Sequence, residues 1–257
     1  MGSGLDIIDR APPARSRLLA CIAVVATGVG AFFGAVANVA AAETAADAPH
    51  FSLNPTALYA AASGPHTPDG TDVSVLEVQE TYSFDADGGN VYTQYFVYKI
   101  LTPAGAENWN ALVMNWSPWR DTKPTMKARV IAADGTAYTL DPTTISDAAA
   151  HTGDSSIYSD ERTLRAPLPA IAPGAVVESE IVLKEGLPFA GSGKVARSFF
   201  QMNDPIQHFR LTLVAPKTVN LRHRLDLLPN VTPVHTEENG TDRWVFDSIS
   251  MPAAEDA

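Results

Sequence analysis

From Asp72 onward the apolar residues follow a period of two. They recur at Leu76, Val78, Tyr82 and Phe84, with Glu80 breaking the alternation, which is the spacing of a strand with one buried face. The next run, Val91 to Leu101, is apolar on both parities and predicts a strand enclosed on both sides. Between them, Asp85-Ala86-Asp87-Gly88-Gly89-Asn90 supplies the turn residues of a hairpin. Its alternating oxygen-bearing residues also resemble the start of a calcium loop, but the distant glutamate of such a loop is missing. We therefore read it as a turn.

The same reading continues along the chain. Pro103 and Gly105 end the second strand, and a strand-like run leads through Trp109, Leu112, Val113 and Met114 to Trp116. Met126 to Ala132 and Thr136 to Leu140 flank Asp134-Gly135, a second hairpin signal. Residues 141–156 have no period and read as an exposed loop. Ile157 to Leu164 leads through Pro167-Leu168-Pro169 and Pro173-Gly174 into a β-prone run from Val176 to Leu183. After a Gly- and Pro-rich loop at 186–194, Ile206 to Val214 places Phe209, Leu211 and Leu213 on one face. Val219 to Leu227 does the same with Val219, Leu221, Leu225 and Leu227, and Arg243 to Ile249 is a last short strand with Trp244 and Phe246. Short strands punctuated by turns predict an all-β fold, an antiparallel β-sandwich over residues 72–250 with a tail at 251–257.

The segment before the strands is of another kind. Arg10, Arg15 and Arg17 precede a charge-free apolar run from Leu18 to Val39, closed by Ala40-Ala41-Ala42. This is the layout of a secretory signal peptide over residues 1–42, cleaved near Ala42. An uncleaved anchor through residues 18–39 is the competing reading. Leu18-Leu19-Ala20-Cys21 matches a lipobox in letters, but it stands at the start of the apolar run instead of its end. Residues 43–71 read as a flexible linker, with Asn54-Pro55 capping a short helix over Thr56 to Ala61.

Composition narrows the class. With 46% hydrophobic and 18% charged residues, the 257-residue chain has the makings of a real core. A formal net charge of −11 disfavours nucleic acid, whose phosphates are bound by clustered Lys and Arg. Cleavage at Ala42 removes the only cysteine, so the mature chain has no thiol nucleophile and no disulfide. An exported, periplasmic or cell-envelope location follows from the leader, with the membrane involved only if residues 18–39 stay attached.

Four groups of residues invite a chemical reading. Gly191-Ser192-Gly193-Lys194 is similar to the end of a phosphate loop, but the earlier glycine is replaced by Pro188 and no Ser or Thr follows Lys194. His223 lies on the apolar parity of its strand and reads as a structural histidine, and His50, His66, His151, His208 and His235 lack ligand spacing. Trp109, Trp116 and Trp119 are either buried strand residues or a platform for a peptide or glycan. Asp160 and Glu161 point to opposite faces of an extended chain, and Arg162 reads as a turn-holding cation. These readings give no catalytic residue, no cofactor and no metal.

One resemblance draws the landmarks together. Lys99 to Gly105, Ala128 to Thr136, Tyr158 to Arg162, Leu168 to Glu178, and Phe199-Phe200-Gln201 with Asp204-Pro205 occur in one order. That order resembles a bacterial domain of unknown function that precedes transglutaminase-like domains in exported and envelope proteins. The resemblance implies a β-sandwich in the envelope. In that family a Cys, His and Asp triad follows in the next domain, whereas this sequence ends at Ala257. The expectation is a non-catalytic interaction or scaffold module, or the truncated product of a longer gene. Its partner would be a transglutaminase-like or other envelope protein. The alternative is an autonomous peptide- or glycan-binding protein using the Trp109 to Trp119 region.

Overall fold

The run that is apolar on both parities forms the middle of the main sheet. In the computed structural model, which describes residues 4–6, 48–64, 70–150, 160–186, 196–228 and 230–253, it is strand β3, Asn90–Ile100. Its neighbours are β2, Val73–Phe84, and β9, Val176–Glu185, both antiparallel to it. Beyond β9 lie β5, Thr125–Ile131, and β6, Ala137–Thr139. Beyond β2 lie β11, Ile206–Pro216, then β14, Thr241–Met251, and β13, Val234–Glu238. These eight strands make one sheet in the order β13-β14-β11-β2-β3-β9-β5-β6.

All of its pairings are antiparallel except that of β2 with β11, which is parallel. The parallel seam joins a three-stranded half to a five-stranded half.

Two three-stranded sheets complete the described strands. One runs β4-β8-β7, from Ala111–Trp116, Arg162–Pro167 and Ser146–Ala149. In the other, β1, Gly4–Asp6, lies between β10, Arg197–Phe199, and β12, Arg224–Asp226. The sheets pack as an all-β sandwich. Its main core joins Val75, Tyr98, Val130, Val177, Phe209 and Leu211 of the large sheet to Leu112 and Leu164 of the small one. Burying each such side chain contributes roughly 1.5–3 kcal/mol.

The other face of the large sheet carries a smaller cluster. Helix α1, Pro55–Ser63, begins as its sequence indicates, with Asn54 accepting from the Ala57 N–H at 2.8 Å and Pro55 in the first turn. It buries Leu58 and Ala62 against Leu76, Val97, Ile131 and Val176. Residues 48–63, read from sequence as linker and short helix, therefore lie against the sheet.

Several strand readings need correcting. A β-bulge between Val75 and Glu77 resets the parity of β2. Val78 belongs to the main core, whereas Leu76 joins the α1 cluster on the opposite face. The run from Pro103 begins as helix α2, Pro103–Asn108, because Thr102 caps it by accepting from the Gly105 N–H at 3.0 Å. Trp109 is the C-cap of that helix and not a strand residue. Residues 142–144 form a 3-10 turn and 146–149 form β7 where a loop was expected. The strand expected over Val219 to Leu227 shortens to β12, and Leu227 is 68% exposed. There the Leu221 N–H turns back to the Val219 carbonyl at 3.0 Å instead of joining a ladder. β13 escaped the pattern because all five of its residues are exposed. The tight Asn239-Gly240 turn, both residues at positive φ, holds it against β14.

Among the described residues no helix is long and apolar enough to cross a membrane. Residues 18–39, Cys21, His66, His151, Ile157 to Ser159 and Gly191 to Lys194 lie outside the described residues.

Candidate functional site

The face of the large sheet that carries α1 also carries a band of charged and polar side chains. It starts on the parallel seam, where His208 of β11 is in register with Glu77 of β2. Both side chains are almost fully buried, and the His208 Nδ1 lies 2.8 Å from each Glu77 carboxylate oxygen. The opposite nitrogen, Nε2, contacts the carboxylate of Asp247 on β14. Asp247 in turn accepts from Arg210 of β11 at 2.9 Å. Burial opposes protonation of His208, but the bonds to Asp247 and Glu77 and their charge outweigh it and lift its pKa to about 9. Burial also pushes Asp247 up, but His208 and Arg210 prevail and hold its carboxyl below the usual range. Burial pushes the Glu77 carboxyl up as well, against the bond and charge of His208, and the cluster as a whole favours the protonated imidazole.

Further along the band, the segment before α1 lies across the sheet. His50 stacks on Tyr95 at 3.9 Å between ring centres. Its Nδ1 lies 2.7 Å from Glu180, and its Nε2 lies 3.3 Å from the Gln79 side-chain oxygen. Glu178 is 1% exposed and accepts three bonds. They come from the Phe51 N–H at 2.9 Å, the Tyr95 hydroxyl at 2.6 Å and the Arg129 Nε. Arg129 also donates to the Leu53 carbonyl at 2.6 Å. Residues from β3, β5 and β9 therefore hold both the backbone and the rings of residues 50–53.

A second polar group lies inside the sandwich. Glu80, which broke the alternation of β2, points to the core side and accepts from the Tyr92 hydroxyl at 3.0 Å and from Ser198 of β10. Burial pushes its carboxyl up, against the bonds from Ser198, Tyr92 and Gln94. Burial and the nearby Glu80 keep the Tyr82 and Tyr92 phenols protonated.

The residues picked out in the sequence are scattered through the fold. His223 packs on Trp244 and Phe246 at 4.8 and 5.0 Å, and burial pushes its imidazole down, as a structural histidine requires. Arg162 opens β8 and donates to the Asp147 carboxylate at 2.8 Å and carbonyl at 3.0 Å, fastening β7 to β8. Asp160 is exposed beside it. The three tryptophans do not share one surface. Trp109 packs on Phe96 and Tyr98, Trp116 lies against the main core, and Trp119 alone of them is exposed, at 63%. The Arg120 guanidinium lies 5.9 Å from the Trp119 ring.

Sequence reasoning missed His208, Glu77, Asp247, Glu178 and Arg129. Their signal was available in part: Glu77 and Glu178 stand inside apolar runs, where a buried carboxylate requires a cation or donors. Their partners lie 131 and 49 residues away along the chain.

This fold and this band define a β-sandwich domain whose buried charges tie strands and a covering arm together. The chain belongs to the Domain of Unknown Function family DUF3857, matched over residues 86–255. A search of curated proteins by sequence finds no match. Among solved structures, a candidate protease from Parabacteroides distasonis is similar over 72% of this chain and 36% of that one, with a TM-score of 0.57 at 12% identity. An M1 zinc metallopeptidase from Deinococcus radiodurans is aligned over 74% of this chain and 42% of that one, with a TM-score of 0.36 at 10% identity. This chain therefore spans about a third of the first protein, and the likeness to it is one of fold.

Proposed function

We propose that this domain is an exported, non-catalytic interaction module of the cell envelope. The observation that supports this most is the double clamp on His208. A histidine acting as a base has one nitrogen oriented by a carboxylate and the other directed at a nucleophile or substrate. Here the second nitrogen is also held by a carboxylate, that of Asp247, and the two carboxylates together favour the protonated ring. The residue best placed for acid–base work fastens three strands instead.

The leader-like residues 1–42 support export. The resemblance to domains that precede transglutaminase-like domains supports a partner of that kind. The test is co-elution of the purified chain with a transglutaminase-like protein encoded in the same genome, run beside peptidase and acyl-transfer assays of the chain alone. The reading expects a complex and no turnover. Turnover that disappears in His208→Gln would contradict it.

A second reading rests on Trp119, exposed beside Arg120. A sugar ring or peptide stacking there would quench tryptophan fluorescence, and Trp119→Ala would abolish the response.

A further inference from the structure

The small sheet β10-β1-β12 is built in an unusual order. Its central strand, Gly4–Asp6, comes from residues that the sequence places in a leader cleaved near Ala42, while both outer strands come from the domain itself. Gly4–Asp6 pairs antiparallel with Arg197–Phe199 on one side and with Arg224–Asp226 on the other. Strands are spaced about 4.8 Å apart, so β10 and β12 stand about 10 Å apart and cannot bond each other without moving. Loss of Gly4–Asp6 leaves a slot one strand wide with unpaired N–H and C=O groups on both walls.

The slot lies in the layer that covers the core. Ser198 of β10 is 3% exposed and its hydroxyl donates to the buried Glu80, and Leu225 of β12 packs against the main cluster. Ser198 and Leu225 share the register position of Leu5. Cross-strand partners lie on one face, so an occupant's residue at this position faces the core and is best apolar. The next position, that of Asp6, is in register with Arg197 and Arg224. Arg224 is bonded to Asp226 at 2.9 Å in this structure. Two guanidinium-bearing residues flanking one position favour an acid there.

We propose that the mature domain binds an extended segment of a partner protein in this slot, as a third strand between β10 and β12. The segment has a small residue, an apolar residue and an acid in succession, and Gly4-Leu5-Asp6 occupies the slot in the uncleaved chain. The proposal rests on the export and interaction reading above and names the surface through which interaction occurs.

The test compares the full chain with a chain starting at Glu43. Among the described residues the buried and packed members of both hydrophobic clusters begin at Leu53, and a thermal melt checks that the shorter chain folds. The probe is the labelled peptide Ser-Gly-Leu-Asp-Ile-Ile, followed by fluorescence anisotropy and amide hydrogen exchange. The shorter chain should bind it at least tenfold more tightly than the full chain, and exchange should slow at Arg197–Phe199 and Arg224–Asp226. Replacing the peptide's Asp by Lys should weaken binding at least tenfold. Absence of binding, equal binding of the Lys peptide, or unchanged exchange at those amides overturns the proposal. So does an exported protein whose intact mass still includes residues 1–42. Any of these results leaves a partner complex through another surface possible, and co-elution tests that separately.

Discussion

His208 Nδ1 lies 2.8 Å from both carboxylate oxygens of Glu77 across the parallel seam between β2 and β11. That seam joins the two halves of the eight-stranded sheet, so the pair fastens the fold at the one place where its described strands run parallel. With both side chains under 5% exposed, removing one partner strands the other in a dry site. His208→Gln should lower unfolding free energy by about 3–5 kcal/mol, read by urea denaturation. A loss under about 1 kcal/mol, the size of an exposed pair, would show that Glu77 has other support.

The same pair predicts a pH dependence with a definite sign. His208 is raised from 6.5 to about 9, so its stabilisation is fully present below pH 6.5 and is lost as pH rises through 9. Burial pushes the Glu77 carboxyl up, against the bond and charge of His208, and so offsets part of that contribution. Melting temperature should fall between pH 7 and pH 10 in the native chain, and His208→Gln should flatten that limb. Asp247, held below 3.8, acts in the opposite direction, and its contribution is lost as acid protonates it.

Glu178 predicts the fate of the arm. It holds the Phe51 N–H, the Tyr95 hydroxyl and Arg129 together. Glu178→Ala should free residues 48–63 for chymotryptic cleavage at Phe51, Leu53 or Tyr59 and cost about 3–5 kcal/mol, because Arg129 is left without its carboxylate. An uncut arm in the variant would mean that the α1 contacts alone hold it.

Gly105 tests how closely α2 approaches the sheet. A Cβ there would stand 2.4 Å from the Asp72 carbonyl oxygen, so even Gly105→Ala forces backbone apart. The expected loss is about 1–3 kcal/mol, or roughly 2–12 °C in a domain of this size. An unchanged melting temperature would contradict the close approach.

The tryptophans should separate by role. Trp109→Ala removes a ring packed on Phe96 and Tyr98 and should cost about 3–5 kcal/mol. Trp119→Ala removes an exposed ring and should change stability by no more than about 0.5 kcal/mol. Comparable losses for both would place Trp119 in a packed site.

Legibility in the sequence followed the range of the physics. Strands with a regular buried parity, such as Ile206 to Val214, and hairpins with Asp-Gly turns could be read because alternation and turn chemistry are local. The Thr102-Pro103 cap is equally local, but Pro103 and Gly105 read from sequence only as the end of the second strand. The bulge at Val75/Glu77 broke the parity rule by one residue, which no count of apolar positions reveals. β13 has no buried residue to mark it. The charged band was hidden for a different reason. A buried glutamate announces that it has a partner but not which one, and the pairs Glu77–His208 and Glu178–Arg129 form only when distant strands meet.

We propose that the charged residues of this domain hold its strands and do not perform acid–base chemistry. An NMR titration of the His208 imidazole tests it most directly. The account predicts that the ring stays protonated through neutrality and titrates near pH 9. A titration at or below pH 7, with a neutral ring at physiological pH, would contradict it and return His208 to the candidates for a catalytic base.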